Sequence, residues 1–255
     1  IRDSLYSALP GRGFRDWTMK RDELYRSHLS EVEDFVFNEK VAEVFEDMAR
    51  RSIPGYQTII NLIGVIVASH LKEQGIVNDL GCSLGALSRQ ILNSISKEAS
   101  VEIIGIDNSP AMIDRARQSL DDPRATFFCQ DILSYPITGS VVVLNFTLQF
   151  IPKILRDGLI ARIWREMPEN GLMILSEKIS DDQGNLNEFF NAIHLNWKNE
   201  RGYSELEISQ KRQALENVMI LESEADHKNR LSKAGFTRVN SWFRCLNWVS
   251  FLAHK

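Results

Sequence analysis

The segment Asp79-Leu-Gly81-Cys-Ser83-Leu-Gly85 constrains the fold more than any other part of the chain. It follows a short apolar run, Ile76-Val77, and precedes a helical pattern that begins near Ala86. An apolar run, a glycine turn and a helix make one strand–turn–helix unit. That rhythm then repeats. Strands are expected at 76–79, 101–106, 126–129, 140–144 and 172–175, with helices over 86–96, 110–120 and 155–167. Alternation of this kind implies an α/β fold with a parallel sheet and right-handed crossovers. The tail, 237–243 and 247–253, reads as two strands joined by a short turn, an antiparallel edge pair. Ahead of the first strand, a helix near 38–48 carries Val41, Val44, Phe45 and Met48 on one face, and an apolar helix spans 58–71. Residues 186–219 read as helical, and a further helix at 227–234 stops at Gly235. The charged tract 20–34 reads as a solvated helix face or a mobile arm.

The turn has the spacing G-x-x-x-G with an acid two residues before its first glycine. It is neither the dinucleotide G-x-G-x-x-G nor the phosphate-binding G-x-x-x-x-G-K-[ST]. Gly81 and Gly85 either admit a ligand close to the backbone or take backbone angles closed to other residues. The following helix directs free N–H groups toward the turn. An acidic turn suits a ligand with a cationic end, such as the amino-acid part of S-adenosylmethionine. The alternative is a tight turn with structural glycines.

In an open parallel sheet, ligands bind beyond the carboxyl ends of the strands. Four consecutive strand ends carry polar residues. Asp107 can accept from both hydroxyls of a ribose; alternatively it caps the next helix, a task open also to Asn108 or Ser109. Asp131, followed by Ile132, can accept from an exocyclic amine or simply begin a loop. Asn145 is a ligand contact or a turn anchor, because burying it unpaired is costly. Cys82 and Ser83 sit inside the turn, where their backbone is the useful part. Arg212, by physical chemistry alone, reads as solvated helix surface.

Several classes are disfavoured. The net charge is −4, from 30 basic and 34 acidic residues, so no global basic footprint for direct nucleic-acid binding exists. The three cysteines are far apart and the five histidines lack ligand spacing, so neither a disulfide framework nor a metal site is expected. No apolar run reaches membrane-span length and the N-terminal stretch lacks a signal-peptide pattern, so the expectation is a cytoplasmic protein with no membrane partner.

The chain resembles the class I S-adenosylmethionine-dependent methyltransferases, and within them the carboxy-S-adenosyl-L-methionine synthase family. The resemblance lies in Arg51-Ser-Ile-Pro-Gly-Tyr56, the glycine turn, Ile106-Asp-Asn-Ser-Pro-Ala-Met112, Val143-Leu-Asn-Phe-Thr-Leu-Gln-Phe150, Leu175-Ser-Glu-Lys178 and Gly202-Tyr-Ser-Glu-Leu-Glu-Ile-Ser-Gln-Lys-Arg212. It runs from about residue 38 to the end, leaving 1–37 as an N-terminal extension before a single domain, 38–255. It implies a doubly wound, Rossmann-like, mostly parallel seven-stranded sheet with an antiparallel C-terminal strand and extra N-terminal helices. It further implies that S-adenosylmethionine and prephenate become carboxy-S-adenosylmethionine and phenylpyruvate, the former being the donor for tRNA wobble-uridine (5-oxyacetic acid) modification. Tyr56, Gly81, Cys82, Ser83, Asp107, Asn108, Asp131, Ile132 and Asn145 match the family's cofactor contacts. Arg212 matches an arginine that reaches from the other subunit of a homodimer to hold the new carboxylate. The chain departs from the family pattern around His194-Leu-Asn-Trp197 and at Arg244. The competing expectations are an ordinary methyltransferase acting on a small molecule or tRNA, and a non-catalytic cofactor-binding subunit.

Overall fold

A computed structural model describes residues 20–180 and 184–255. Its sheet is built around β4 (Val141–Asn145), whose four apolar residues are all buried, as a strand covered on both faces requires. β4 pairs in parallel with β1 (Gln74–Leu80) on one side and β5 (Leu172–Lys178) on the other. β2 (Ser100–Asp107) and β3 (Ala125–Cys129) continue the parallel array beyond β1. β7 (Trp248–His254) runs antiparallel beside β5, and β6 (Thr237–Cys245) forms the edge, antiparallel to β7. The order is β3-β2-β1-β4-β5-β7-β6, so the direction of winding reverses between β1 and β4.

Successive residues of a strand face opposite sides, and the two sides find different helices. Val141 and Val143 pack with α2 (Tyr56–Leu71) and α3 (Ala86–Ser94) through Ile59, Ile63, Val67, Leu87 and Ile91. Val142 and Leu144 pack with α5 (Lys153–Glu166) and α8 (Glu224–Ala234) through Leu159, Ile160, Ile163 and Leu231. α4 (Pro110–Ser119) starts with proline at its first turn and Ser109 as its cap, the hydroxyl accepting from Met112 N at 3.2 Å.

α1 (Glu39–Ser52) is capped by Asn38, whose side chain accepts from Val41 N at 3.1 Å. Val41, Val44 and Met48 are buried against Phe35, Met112 and Ala214, while Phe45 is only partly covered. α1 and α2 meet at 96°. The joint is Gly55, with φ +79° and Phe243 Cζ only 2.7 Å from where a Cβ would stand. Among the described residues no single helix is long and apolar enough to cross a membrane.

Two expectations are corrected. The helical run 186–219 is two helices, α6 (Gly184–Glu200) and α7 (Glu205–Leu215). Gly202 turns the chain at φ +84°, and Ser204 restarts it through a capping box. In that box the Ser204 hydroxyl accepts from Glu207 N at 3.3 Å, and the Glu207 carboxylate accepts from Ser204 N at 2.7 Å. The tract 20–34 is neither a helix nor a free arm. Most of its charges are exposed, but Asp22 is only 1% exposed. Asp22 accepts from Tyr203 Oη at 2.5 Å and from Lys211 Nζ at 3.2 Å. Gln210 secures the same segment: its amide donates to the carbonyls of Tyr25 and Ser27, and its oxygen accepts from Leu29 N. Residues 20–37 of the expected extension thus pack on α1 and α7, and residues 1–19 lie outside the described residues.

Replacing Asp22 removes the one carboxylate recorded in ion-pair contact with buried Lys211 among the described residues, leaving only the more distant charge of Asp47. Asp22→Ala is expected to destabilise the protein by about 3–5 kcal/mol, the range for breaking a buried pair from one side. Urea denaturation measures it; a midpoint equal to wild type would remove the anchor.

Candidate active site

The glycine turn is shaped by the chain's own packing. Gly81 has φ +77°, and a Cβ there would stand 2.4 Å from Thr147 Cγ2. Gly85 has φ +73° and faces the Phe127 ring at 2.9 Å. Between the two open alternatives, both glycines therefore occupy backbone angles and spaces closed to side chains. Ser83 nevertheless has φ 50°, a strained value for a residue with a side chain. It is held there by Asp107, whose Oδ2 accepts from Ser83 N at 3.0 Å while Oδ1 accepts from Ser109 N at 2.9 Å. Ser109, not Asp107, caps α4. Each Asp107 oxygen keeps acceptor capacity beyond its one N–H, enough for two hydroxyls. Burial raises the Asp107 pKa, and the two N–H bonds oppose that rise.

Asp79 is buried and accepts from Ser88 Oγ at 2.6 Å. Burial pushes its pKa up to about 6, against that hydrogen bond. Asn145, at the end of β4, keeps its Oδ1 buried with no hydrogen-bond partner among the described residues. The next residue, Phe146, is again strained, at φ 61°. Cys82 is buried, and desolvation pushes its thiol well above the ordinary range, so it stays protonated. Asp131 is exposed, its Oδ1 accepting from Leu133 N at 2.9 Å.

These groups surround one cavity of about 250 Å³ at the reversal between β1 and β4. Tyr56, Gly81, Cys82, Ser83, Asp107, Asn108, Asp131, Ile132 and Asn145 all line it; Arg212 does not. The donor set fits S-adenosylmethionine. Asp79 and the orphaned Asn145 oxygen offer acceptors to an ammonium, and Asp107 offers them to a ribose. Among the described residues no group of three or more His, Cys, Asp or Glu could hold a metal ion.

The other half of the cavity is cationic, a feature sequence reasoning does not find. Lys178 ends β5, His194 and Lys198 lie on α6, and Lys211 lies on α7; all four line the same space. His194 Nε2 is 2.9 Å from Ser52 O, and burial holds its pKa down near about 3, so the ring is neutral. Lys211 is bound by Asp22 and by Ser52 Oγ, the latter at 3.0 Å. Lys178 and Lys198 have no carboxylate partner among the described residues. The nearest recorded partner of Lys178 Nζ is the Trp248 ring, 5.3 Å from its centroid. Desolvation lowers Lys178 to about 8, with the Arg212 charge adding to it. Desolvation lowers Lys198 to about 7, with help from Lys211, Lys178 and Arg212. Arg212 itself is exposed on α7, one position beyond the inward-facing Lys211. The three lysines are separated widely in sequence and no local motif joins them. Phe35 and Phe37, which also line the cavity, come from the segment before residue 38.

The sign of these lysine shifts gives a stability test. Unfolded lysines keep their protons to about 10.5, whereas folded Lys198 and Lys178 release theirs near about 7 and about 8. In that window the unfolded chain binds more protons, so both groups make stability rise with pH. Lys198→Met is expected to be more stable than wild type at pH 7. That advantage should shrink by up to about 1.4 kcal/mol per pH unit toward pH 10. Paired denaturation curves across that range measure it; a difference independent of pH would show Lys198 to be unperturbed.

A family model described as a methyltransferase domain matches residues 77–171. Carboxy-S-adenosyl-L-methionine synthase of Geobacter sp. (strain M21) is 47% identical over 244 residues, covering 93% of this chain and 100% of that protein. The enzyme of the same description from Pasteurella multocida (strain Pm70) is 43% identical, again over 93% of this chain and 100% of its own length. Residues 38–255 alone could not supply that coverage, so the likeness extends into the preceding segment. Among solved structures, an O-methyltransferase family protein from Burkholderia thailandensis superposes with a TM-score of 0.62 at 14% identity, over 89% of this chain and 65% of that one. Magnesium protoporphyrin IX methyltransferase from Synechocystis PCC 6803, with SAH bound, gives 0.58 at 18% identity, over 82% of this chain and 87% of that one. Those two likenesses describe the fold; the curated relatives, matched over their full length, show that the chain belongs to the carboxy-S-adenosyl-L-methionine synthase family of the class I methyltransferase superfamily.

Proposed function

We propose that this protein converts S-adenosylmethionine and prephenate into carboxy-S-adenosylmethionine and phenylpyruvate in the cytoplasm, supplying the donor for 5-oxyacetic acid modification of tRNA wobble uridine. It does so without itself binding nucleic acid. The observation that carries the reading is the division of one cavity into an acceptor-rich half and a cationic half. A sulfonium nucleoside suits the first. The second, with two half-buried lysines that have no carboxylate partner among the described residues, suits an anion, which would let both keep their protons. A methyl acceptor of neutral character leaves those lysines unexplained.

In this reading residues 38–255 form one cofactor-binding domain, and 1–37 is an N-terminal extension that lends Phe35 and Phe37 to the cavity wall. Tyr56, Asp107, Asn108, Asp131, Ile132 and Asn145, with the backbone of Gly81, Cys82 and Ser83, hold the nucleoside and amino-acid parts. S-adenosylmethionine supplies the sulfonium methyl carbon to which the carboxyl group is joined. Prephenate loses carbon dioxide and hydroxide as its ring becomes aromatic. The hydroxide removes one methyl proton and departs as water, and the carbon dioxide bonds to the methyl carbon. The protein's work is to hold the two reactants together and exclude bulk water, to which carbon dioxide and hydroxide would otherwise be lost. The apolar wall formed by Phe35, Phe37, Phe146 and Trp248 suits that task.

Arg212 is the proposed holder of the new carboxylate, acting from the second subunit of a homodimer. It is exposed and does not line its own cavity, although its charge reaches Lys178 and Lys198 there, so the guanidinium is open to a second subunit. A guanidinium meets a carboxylate through two parallel hydrogen bonds.

Incubation with S-adenosylmethionine and prephenate is expected to yield a product heavier than S-adenosylmethionine by one carbon dioxide, read by mass spectrometry. Formation of S-adenosylhomocysteine alone would sink the reading and leave an ordinary methyltransferase. Arg212→Ala is expected to lose about a hundredfold in carboxylated product while still binding S-adenosylmethionine, a loss typical of removing one charge-stabilising group. Mixing it with Asp107→Ala tests the crossing. Equal mixing should restore about a quarter of wild-type activity, since half the dimers then carry one intact site. No recovery would confine Arg212 to its own chain.

A further inference from the structure

Four ionisable groups line the cationic half of the cavity, but only two are available to a ligand. His194 is neutral and bonded to the Ser52 carbonyl. Lys211 is held by Asp22 and by Ser52 Oγ. Lys178 and Lys198, on β5 and α6, remain without an acceptor among the described residues. Each faces other cations: Arg212 acts on both, and Lys178 and Lys211 act on Lys198. A sulfonium placed in the same cavity adds to the repulsion. On their own the lysines relieve it by releasing protons near pH 7 to 8, and an anion lodged between them relieves it with both protons kept.

We propose that Lys178 and Lys198 grip the carboxylate that stays on the carboxyl donor, the keto-acid carboxylate of prephenate, and thereby select a dianionic donor. The assignment rests on the reaction proposed above. The choice between the donor's two carboxylates follows from charge flow. The departing carboxylate loses its negative charge as carbon dioxide forms, so a cation pair on it would stabilise the ground state more than the transition state and slow the step. The retained carboxylate keeps its charge throughout. Lysines bound to it stabilise the bound donor and the transition state alike, which improves binding without opposing the bond cleavage. The departing group then faces the aromatic wall and the cofactor half, where little water competes. Trp248, beside Lys178, is suited to pack against the donor's ring.

The test compares the full-length wild type with Lys178→Met, Lys198→Met and Lys178→Arg. Phenylpyruvate keeps only the retained carboxylate, so it reports on that subsite without turnover. Each methionine variant is expected to raise the KM for prephenate and the Kd for phenylpyruvate by tenfold or more, in parallel, with kcat changed less than threefold. Calorimetric binding of S-adenosylmethionine should stay within twofold, and the unliganded melting temperature should equal or exceed wild type. Lys178→Arg should recover most of the phenylpyruvate affinity. A raised prephenate KM with unchanged phenylpyruvate binding would overturn the assignment in favour of the departing carboxylate. Unchanged values for both ligands would overturn it altogether. A lower melting temperature with loss of S-adenosylmethionine binding would make the lysines structural. If the wild type forms no carboxylated product from prephenate, the proposed reaction fails on that result; phenylpyruvate binding still judges the two lysines separately.

Discussion

The Asp107 carboxylate is the contact on which the cofactor half of the site depends. Its two oxygens accept from Ser83 N and Ser109 N, joining the turn after β1 to the end of β2 and the start of α4. Gly81 N and Cys82 N reinforce the junction by donating to the Ile106 carbonyl at 2.7 and 3.0 Å. The left-handed backbone of Ser83 persists because these bonds over-determine it. A ligand arriving there meets acceptors already in position, which lowers the ordering cost of binding.

Across the cavity the electrostatics reverse. Asp79 and Asp107 are pushed up by burial, while Lys178 and Lys198 are pushed down by it. Neither set cancels the other within the protein. The fold therefore carries uncompensated charge of both signs in one space, an arrangement that costs stability and serves ligand binding. Lys211, the one buried lysine among the described residues, does have a carboxylate, and that carboxylate ties it to the N-terminal segment.

The sheet was legible because each strand and helix is announced locally. Val141-Val-Val-Leu144 is apolar without interruption, and Ser109-Pro110 marks a helix start within two residues. The strand-end polar residues were legible for the same reason, since topology alone brings Asp107, Asp131 and Asn145 to one edge. The break between α6 and α7 was hidden by the helical composition on both sides, although Ser204-x-x-Glu207 is a capping-box signature. The burial of Asp22 was hidden by its charged neighbours, which are solvated as composition suggests. Lys198 carries no local signal at all: its role depends on β5, α6 and α7 meeting, a fact of tertiary packing.

The pairing of Asp22 with Lys211 also bears on the order in which the molecule can assemble. Ser83 and Asp107 are 24 residues apart, whereas Asp22 and Lys211 are separated by 189. Closing the longer loop carries the greater entropic cost and rewards the chain only after the intervening strands have paired. During synthesis the acceptor half can therefore take shape while the cationic half is still missing its last helix. The pocket for the nucleoside comes first, and the side that demands an anion is completed only when nearly the whole chain has been made.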